Sequence, residues 1–271
     1  MKQYYIVCDV SLCHDCNNCF IACKDEFVDN SWLPYTDAQP RHGHRWMNIL
    51  RKERGQYPRI DVAYLPMPCQ HCADALCVKL NPDCVSRRED GIVMIDAEKA
   101  KGAGILTESC PYDAIFWNDE AGVAQKCTMC AHILDGGAWE GGTPRCVHSC
   151  PTGALEFFHM EPDAMAEKVK DEELECFRPE LNGGLANVYY RNLSRFTKLF
   201  IAGGLIKGGE CAEGLMVILS CSDMIHSQLT DCFGDFKFDG LDPGEYTISV
   251  DGVDLRTVEV SESLNLGSIV V

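Results

Sequence analysis

The sequence predicts an α+β chain in two parts: a cysteine-rich front half of short strands and loops, then a small antiparallel β-sandwich. Three observations lead there. Eleven of the 18 cysteines fall in runs within the first 150 residues, with Cys110 standing between them. Short alternating segments with Gly-containing turns flank those runs. From about Phe200 the cysteine runs stop and period-2 alternation takes over. In order, Tyr4–Val10 alternates and is rich in Tyr, Ile and Val, the pattern of a strand entering the first cysteine loop. Val85–Arg87 and Ile92–Ile95 flank Glu89-Asp90-Gly91 as a hairpin, and Ile115–Trp117 with Val123–Lys126 repeat it around residues 119–122. Residues 163–175 read as a short surface helix opened by Glu161-Pro162-Asp163. Phe177–Leu199 reads as an aromatic strap without regular structure, suited to lying across a partner. Gly214–Leu219 and Asp235–Val250 read as strands, with Phe236, Phe238, Tyr246, Ile248 and Val250 on one face and a turn at Asp242-Pro243-Gly244. The expected divisions are 1–160, 161–199 and 200–271.

The cysteine spacing carries the chemistry. Cys13, Cys16, Cys19 and Cys23 form C-x2-C-x2-C-x3-C; Cys69, Cys72 and Cys77 form C-x2-C-x4-C; Cys110-Pro111 stands alone; Cys127, Cys130, Cys146 and Cys150-Pro151 complete the set. Thiolates so spaced ligate iron–sulfur clusters, and in two-cluster ferredoxins the fourth Cys of a run serves the other cluster. Disulfide scaffolds are short secreted chains, whereas this one has 271 residues and no signal-peptide pattern. Zinc ribbons use two separated C-x2-C pairs and do not account for the third and fourth cysteines of the first run.

The exchange rule predicts which thiols belong together. Cys13, Cys16 and Cys19 take Cys150, and Cys127, Cys130 and Cys146 take Cys23. Cys69, Cys72 and Cys77 take Cys110. Counting back from Cys110 at ferredoxin spacing gives Leu106, Ala103 and Ala100, and counting forward from Cys77 gives Asn81-Pro82. All four ligands of one site are therefore missing together, while all four of its neighbour are present. The expectation is a double ferredoxin-like module with three [4Fe-4S] clusters and one emptied site.

Residues 4–198 resemble the electron-transfer (beta) subunits of the molybdopterin oxidoreductases related to dimethyl sulfoxide reductase. The segments 13–19, 110–115, 125–130 and 150–154 carry the likeness. The emptied site, the insert 43–49, the run 189–193 and the extra C-terminal part resemble the branch of hydroxytransferases acting on pyrogallol and phloroglucinol. The resemblance implies a large partner subunit that holds the molybdopterin cofactor. It also implies a non-catalytic, electron-carrying role for this chain, with a related polyphenol dehydroxylase as the alternative. A free-standing polyferredoxin is a further alternative, disfavoured by the long insert and the sandwich. Within the C-terminal part, the string 234–250 resembles Cna-B or transthyretin-like domains, and no catalytic constellation stands out there.

Charge and composition narrow the partners. Residues 1–198 carry 21 Lys/Arg and 29 Asp/Glu, a net of −8; residues 199–271 carry 3 and 12, a net of −9. Nucleic acid is therefore disfavoured as a partner, since phosphate contacts need a basic face. No apolar run reaches the 18 or so residues of a membrane span. Cys8, Cys84, Cys176, Cys211, Cys221 and Cys232 lie outside the ligand runs and read as reduced, packed thiols. They favour a reducing, cytoplasmic setting; export folded beside a signal-bearing partner is the alternative. The stretch Arg41–Arg59 is locally basic, either a solvated loop or a docking ridge with Trp46 as anchor. His14, His42, His44, His71, His132 and His148 lie near ligand loops. His71, inside Cys69-x-x-Cys72, and Lys126, beside Cys127, are the candidates for tuning a cluster without ligating it, and Asn81 is expected to bond backbone.

Overall fold

The computed structural model describes residues 1–136, 142–222 and 224–271. The chain divides into two compact units, one of residues 1–50 and 64–193, the other of 51–63 and 194–271.

The first unit is organised by strand β1 (Gln3–Asp9), which is buried on both faces. After helix α1 (Asn18–Phe27) come β2 (Met47–Gln56) and β3 (Arg59–Pro68), a hairpin whose outer residues group with the second unit. Helix α2 (Leu76–Leu80) leads to the small hairpins β4 (Val85–Arg87) with β5 (Val93–Ile95) and β6 (Ile115–Asn118) with β7 (Val123–Lys126). Both sit where the alternation and turn residues place them. Helices α3 (Ala131–Gly136) and α4 (Arg145–His148) precede β8 (Leu155–Met160), helix α5 (Pro162–Asp171) and β9 (Val188–Arg191).

Strand β8 pairs antiparallel with β1, from Gln3↔Met160 to Cys8↔Leu155, and β9 pairs parallel on the other side, from Ile6↔Val188 to Asp9↔Arg191. Tyr5 and Val7 pack with Met165 of α5 and Leu174 on one face of this sheet. Helix α5 starts with Pro162 at its first positions, Asp163 in its first turn and Lys168 and Lys170 in its last, each suited to its end of the helix dipole.

Two expectations need correction here. The segment 177–199 is not wholly irregular. Val188 and Tyr190 are fully buried in β9, because Tyr190 accepts a hydrogen bond from Gln70 Nε2 (3.0 Å) and donates to Met67 Sδ (3.5 Å). Trp46 is not an exposed anchor: it is buried against Phe27, with ring centroids 4.8 Å apart.

In the second unit, helix α6 (Ser194–Thr197) leads into β10 (Leu199–Lys207), β11 (Glu210–Cys211), β12 (Met216–Cys221), β13 (Met224–Leu229), β14 (Asp235–Leu241), β15 (Gly244–Val250), β16 (Val253–Val260) and β17 (Leu264–Val270). One four-stranded sheet holds β11, β10, β14 and β17, the other β13, β12, β15 and β16. Ile201, Leu205, Val217, Leu219, Phe236 and Ile248 share one buried cluster, the face that alternation predicts. Gly203 belongs to that fit: a Cβ there would lie 2.8 Å from the Phe236 ring. The sheets are not purely antiparallel. β17 runs parallel to β10, because the chain crosses from the sheet of β16 before adding it.

The basic hairpin tip is packed within this second unit rather than left as a solvated loop. The Arg54 side chain is 1 % exposed and makes a two-pronged contact with Asp239 (2.8 and 2.9 Å) and a third with Asp61 (2.5 Å).

Candidate metal centres

The local chain around the cysteines is built to turn sharply. Asp15, Asn17, His71, Asp113, Met129 and Cys130 all adopt positive φ, which lets each short loop fold its thiols to one side. Backbone amides then face sulfur: Met129 N–H donates to Cys127 Sγ (3.3 Å) and Ala114 N–H to Cys110 Sγ (3.5 Å). In α1, Cys19 and Cys23 are four residues apart and both buried, one helical turn along the same face. Helix α4 packs on α1 and carries Cys146, with Cys150 just beyond its end. Two helices side by side thus bring Cys19 and Cys23 near Cys146.

Twelve thiols gather in three groups. Burial pushes the Cys19 thiol up to about 12, and Cys13, Cys150 and Cys16 push it the same way. Cys13 feels Cys150 and Cys16 in turn. Burial also raises Cys23, Cys130 and Cys146 strongly; Cys127 and Cys130 act on Cys23, and Cys130, Cys127 and Cys23 act on Cys146. Burial drives Cys72 to about 12 and Cys110 to about 11, with Cys69 the first thiol acting on each. Cys69, Cys72, Cys77 and Cys110 line one cavity. The groups adjoin one another as well: Cys146 feels Cys19, and Cys127, held at about 11 by burial, feels Cys69.

These thiols fit iron–sulfur clusters. The donors are all sulfur, none is in a disulfide, and all but Cys16 are buried or half-buried. A buried thiolate without a counter-charge is costly, so bound iron is what would hold each of these sulfurs deprotonated. Among the described residues, no three Cys, His, Asp or Glu side chains converge tightly enough to grip a single ion. Thiols meant for the corners of a cubane must stand further apart than that.

The positions at ferredoxin spacing before Cys110 are occupied by apolar packing. Ala100 and Leu106 are fully buried with Val85, Val93, Ile95, Ile115 and Ala124, and Ala103 packs against them. Asn81 does bond backbone, donating from Nδ2 to Cys77 O (3.3 Å). Leu106→Ala should therefore cost about 3 kcal/mol by opening a cavity, without altering iron content. Faster hydrogen exchange in β4 and β5, beside an iron assay, checks this.

His44 is bonded to Trp117 O (2.8 Å) and His132 to Glu26 (2.9 Å), while His14 and His42 are exposed. His71 accepts a hydrogen bond from Val93 N–H on Nδ1 (3.0 Å). Burial, then Lys126 and Arg87, holds it well below the usual histidine range, so the ring is neutral. Lys126 is buried, donates to Val93 O and to Cys127 O (3.0 Å), and lines the Cys69 cavity, with no carboxylate beside it among the described residues. Cys8 is a neighbour that the spacing does not reveal. It is fully buried, and after burial itself the thiols acting on it are Cys19, Cys13 and Cys150, followed by the Asp9 carboxylate. Its side-chain direction in β1 was the one available signal.

A family model described as "4Fe-4S dicluster domain" matches residues 60–160. The pyrogallol hydroxytransferase small subunit of Pelobacter acidigallici is 52% identical over 252 residues, covering 93% of this chain and 91% of that one. A tetrathionate reductase subunit of Salmonella typhimurium is 30% identical over 198 residues, covering 70% and 73%. This chain belongs to the iron–sulfur electron-transfer subunits of the molybdopterin oxidoreductases. A thiosulfate reductase electron transfer subunit of Salmonella typhi, 29% identical over 191 residues and covering 70% and 93%, extends the likeness. Membership explains an architecture in which an iron–sulfur subunit spends its buried interior on cysteine sulfur and turns. No described helix is long and apolar enough to cross a membrane.

Proposed function

We propose that the chain is the small subunit of a molybdopterin hydroxytransferase acting on polyhydroxylated aromatics, carrying three [4Fe-4S] clusters. The observation that carries the count is the grouping of twelve thiols in three sets beside a fourth position filled by Ala100 and Leu106. The substrate class rests on the 52% identity to a pyrogallol hydroxytransferase small subunit.

The clusters, when bound, supply one-electron redox chemistry. The chain's own residues arrange it. Cys13, Cys16, Cys19 and Cys150 form one end of a series, Cys127, Cys130, Cys146 and Cys23 the middle, and Cys69, Cys72, Cys77 and Cys110 the other end. The adjacency of Cys19 to Cys146 and of Cys69 to Cys127 supports that order. Lys126 places a cation beside the last two sets. The molybdopterin cofactor and the substrate site belong to the large partner subunit, and the thiol-rich composition suits a reducing, cytoplasmic setting. The second unit is non-catalytic, and the turn and alternation of residues 234–250 support reading it as a Cna-B or transthyretin-like domain. Its acidity suits it to steering assembly.

Anaerobic purification from the native host should bring down a large molybdenum-containing chain. The chain described here should then hold about twelve iron and twelve sulfide. About sixteen iron, or no molybdenum chain, would overturn the reading. Turnover of pyrogallol without net electron input would separate transhydroxylation from reductive dehydroxylation.

A further inference from the structure

Two cations flank the loop that carries Cys69 and Cys72. Lys126 is buried, and its Nζ donates to Val93 O and to Cys127 O (3.0 Å), both neutral oxygens. It lines the cavity that Cys69, Cys72, Cys77 and Cys110 share. Arg87 stands opposite Val93 in the β4–β5 hairpin. Its side chain therefore leaves from the face on which Val85 and Val93 join the buried cluster that Cys72, Cys77 and Cys110 pack against. Arg87 Nη2 donates to Gln3 Oε1 (3.0 Å) and Asn187 Oδ1 (2.9 Å), again neutral, and its Nε is buried without a partner. The Asn187 N–H in turn donates to Gln70 O (3.0 Å), inside the Cys69 loop.

Neither cation has a carboxylate in ion-pair contact among the described residues. A charge withdrawn from water is costly unless an opposite charge meets it. Two such cations converge on one loop, so a negative charge belongs at the position they flank. A cubane held by four thiolates supplies it, since its net charge is negative and reduction adds one electron more.

We propose that Lys126 and Arg87 are the counter-charges of the cluster held by Cys69, Cys72, Cys77 and Cys110, and that they raise its reduction potential so that an electron entering the series comes to rest there. They act through charge rather than through a bond to sulfur: a cluster's potential follows the net charge around it, and a dry interior screens that charge little. Lys126, bonded to Cys127 O, acts more weakly on the middle set, while the Cys13 set stands at the far end of the proposed series. The inference rests on the assignment of these cluster sites.

The test uses the complete complex, reduced stepwise by dithionite in a potentiometric titration followed by EPR. The Cys69 signal is the one lost in Cys110→Ser, and in the wild type it should be the first of the three to appear. With iron content retained, Lys126→Met should make reduction of that cluster about tenfold less favourable, about 59 mV for one electron. Arg87→Gln should act in the same direction by about threefold, about 28 mV, because water screens part of a half-buried charge. Lys126→Arg keeps the charge and should hold the potential near the wild-type value, a rescue that a packing role would not give. The Cys13 signal should stay unmoved throughout. An unchanged potential in both Lys126→Met and Arg87→Gln overturns the proposal, as does an equal shift of all three signals or a Cys69 signal that follows another in the wild type. If Lys126→Met loses the cluster, Arg87→Gln decides: a lowered potential supports the proposal, and an unmoved one overturns it. Loss of the cluster in both variants also overturns it, leaving the two cations purely structural. If the wild-type complex itself lacks that cluster's signal and iron, the site assignment fails instead.

Discussion

Replacing Cys110 with Ser should remove one cluster and leave two, lowering iron from about twelve to about eight per chain. A serine hydroxyl is a far poorer ligand than a thiolate, and Cys110 is the sole member of its set supplied from outside the 69–77 run. The loss should stay local. Cys110 sits just after a short 3-10 turn, Gly104–Ser109, and its sulfur is braced by the Ala114 amide. The set of Cys127, Cys130, Cys146 and Cys23 is carried by other elements, α1, α4 and the loop after β7. EPR of the reduced variant should thus lose the signal assigned to Cys69, Cys72 and Cys77 and keep the other two. Cys84→Ser is the control. Cys84 packs with the apolar cluster at the filled position, so its replacement should leave iron unchanged. Loss of iron there would mean that the filled position still takes part in ligation. Loss of a different signal in Cys110→Ser would break the exchange of fourth ligands between runs.

The proposed ligand groups are drawn from local cysteine spacing: three thiols of two sets come from one short run each, and Cys127 with Cys130 form a close pair in the other. The exchanged fourth ligand follows a rule about paired runs, and the missing one left four coincident gaps at Asn81, Ala100, Ala103 and Leu106. Hairpins and the sandwich face were readable for the same reason, since a two-residue period and a turn need no knowledge of distant partners. What could not be read depends on contacts between residues far apart in the chain. Tyr190 is buried only because Gln70 and Met67 meet its hydroxyl. The parallel addition of β17 to β10 is set by a sheet crossing, which leaves no mark in alternation. The basic stretch 41–59 misled for a different reason: its charges look solvated because acidic partners of Arg59 and Arg54, Asp235 and Asp239, lie 176 and 185 residues away.

Asp61→Ala should destabilise the second unit by about 3 kcal/mol, the scale for removing one partner from a buried ion pair. Asp61 receives Arg54 (2.5 Å), Arg195 (3.2 Å) and Lys237 (3.2 Å), and its loss leaves Arg54 with Asp239 as its remaining carboxylate. Arg54 cannot recover through water, since its side chain is 1 % exposed and its guanidinium lies 5.2 Å from the Phe200 ring centroid. The pH dependence follows from the same contacts. Burial alone would raise both carboxyls, but hydrogen bonds from Arg54 and Lys237 hold Asp61 far below the usual carboxylate range and Asp239 below it. A carboxyl depressed on folding contributes stability that is complete above its unfolded value, about 3.9, and is lost as pH falls toward the folded value. The second unit should therefore keep its stability from neutral pH down to about pH 4 and lose it below. Asp61→Asn, which keeps the shape but removes the charge, should flatten that acid limb and lower the neutral plateau. Hydrogen exchange of the β10 and β14 amides across pH reads both effects. An unchanged acid limb in Asp61→Asn would show that other carboxylates govern the unit's acid response.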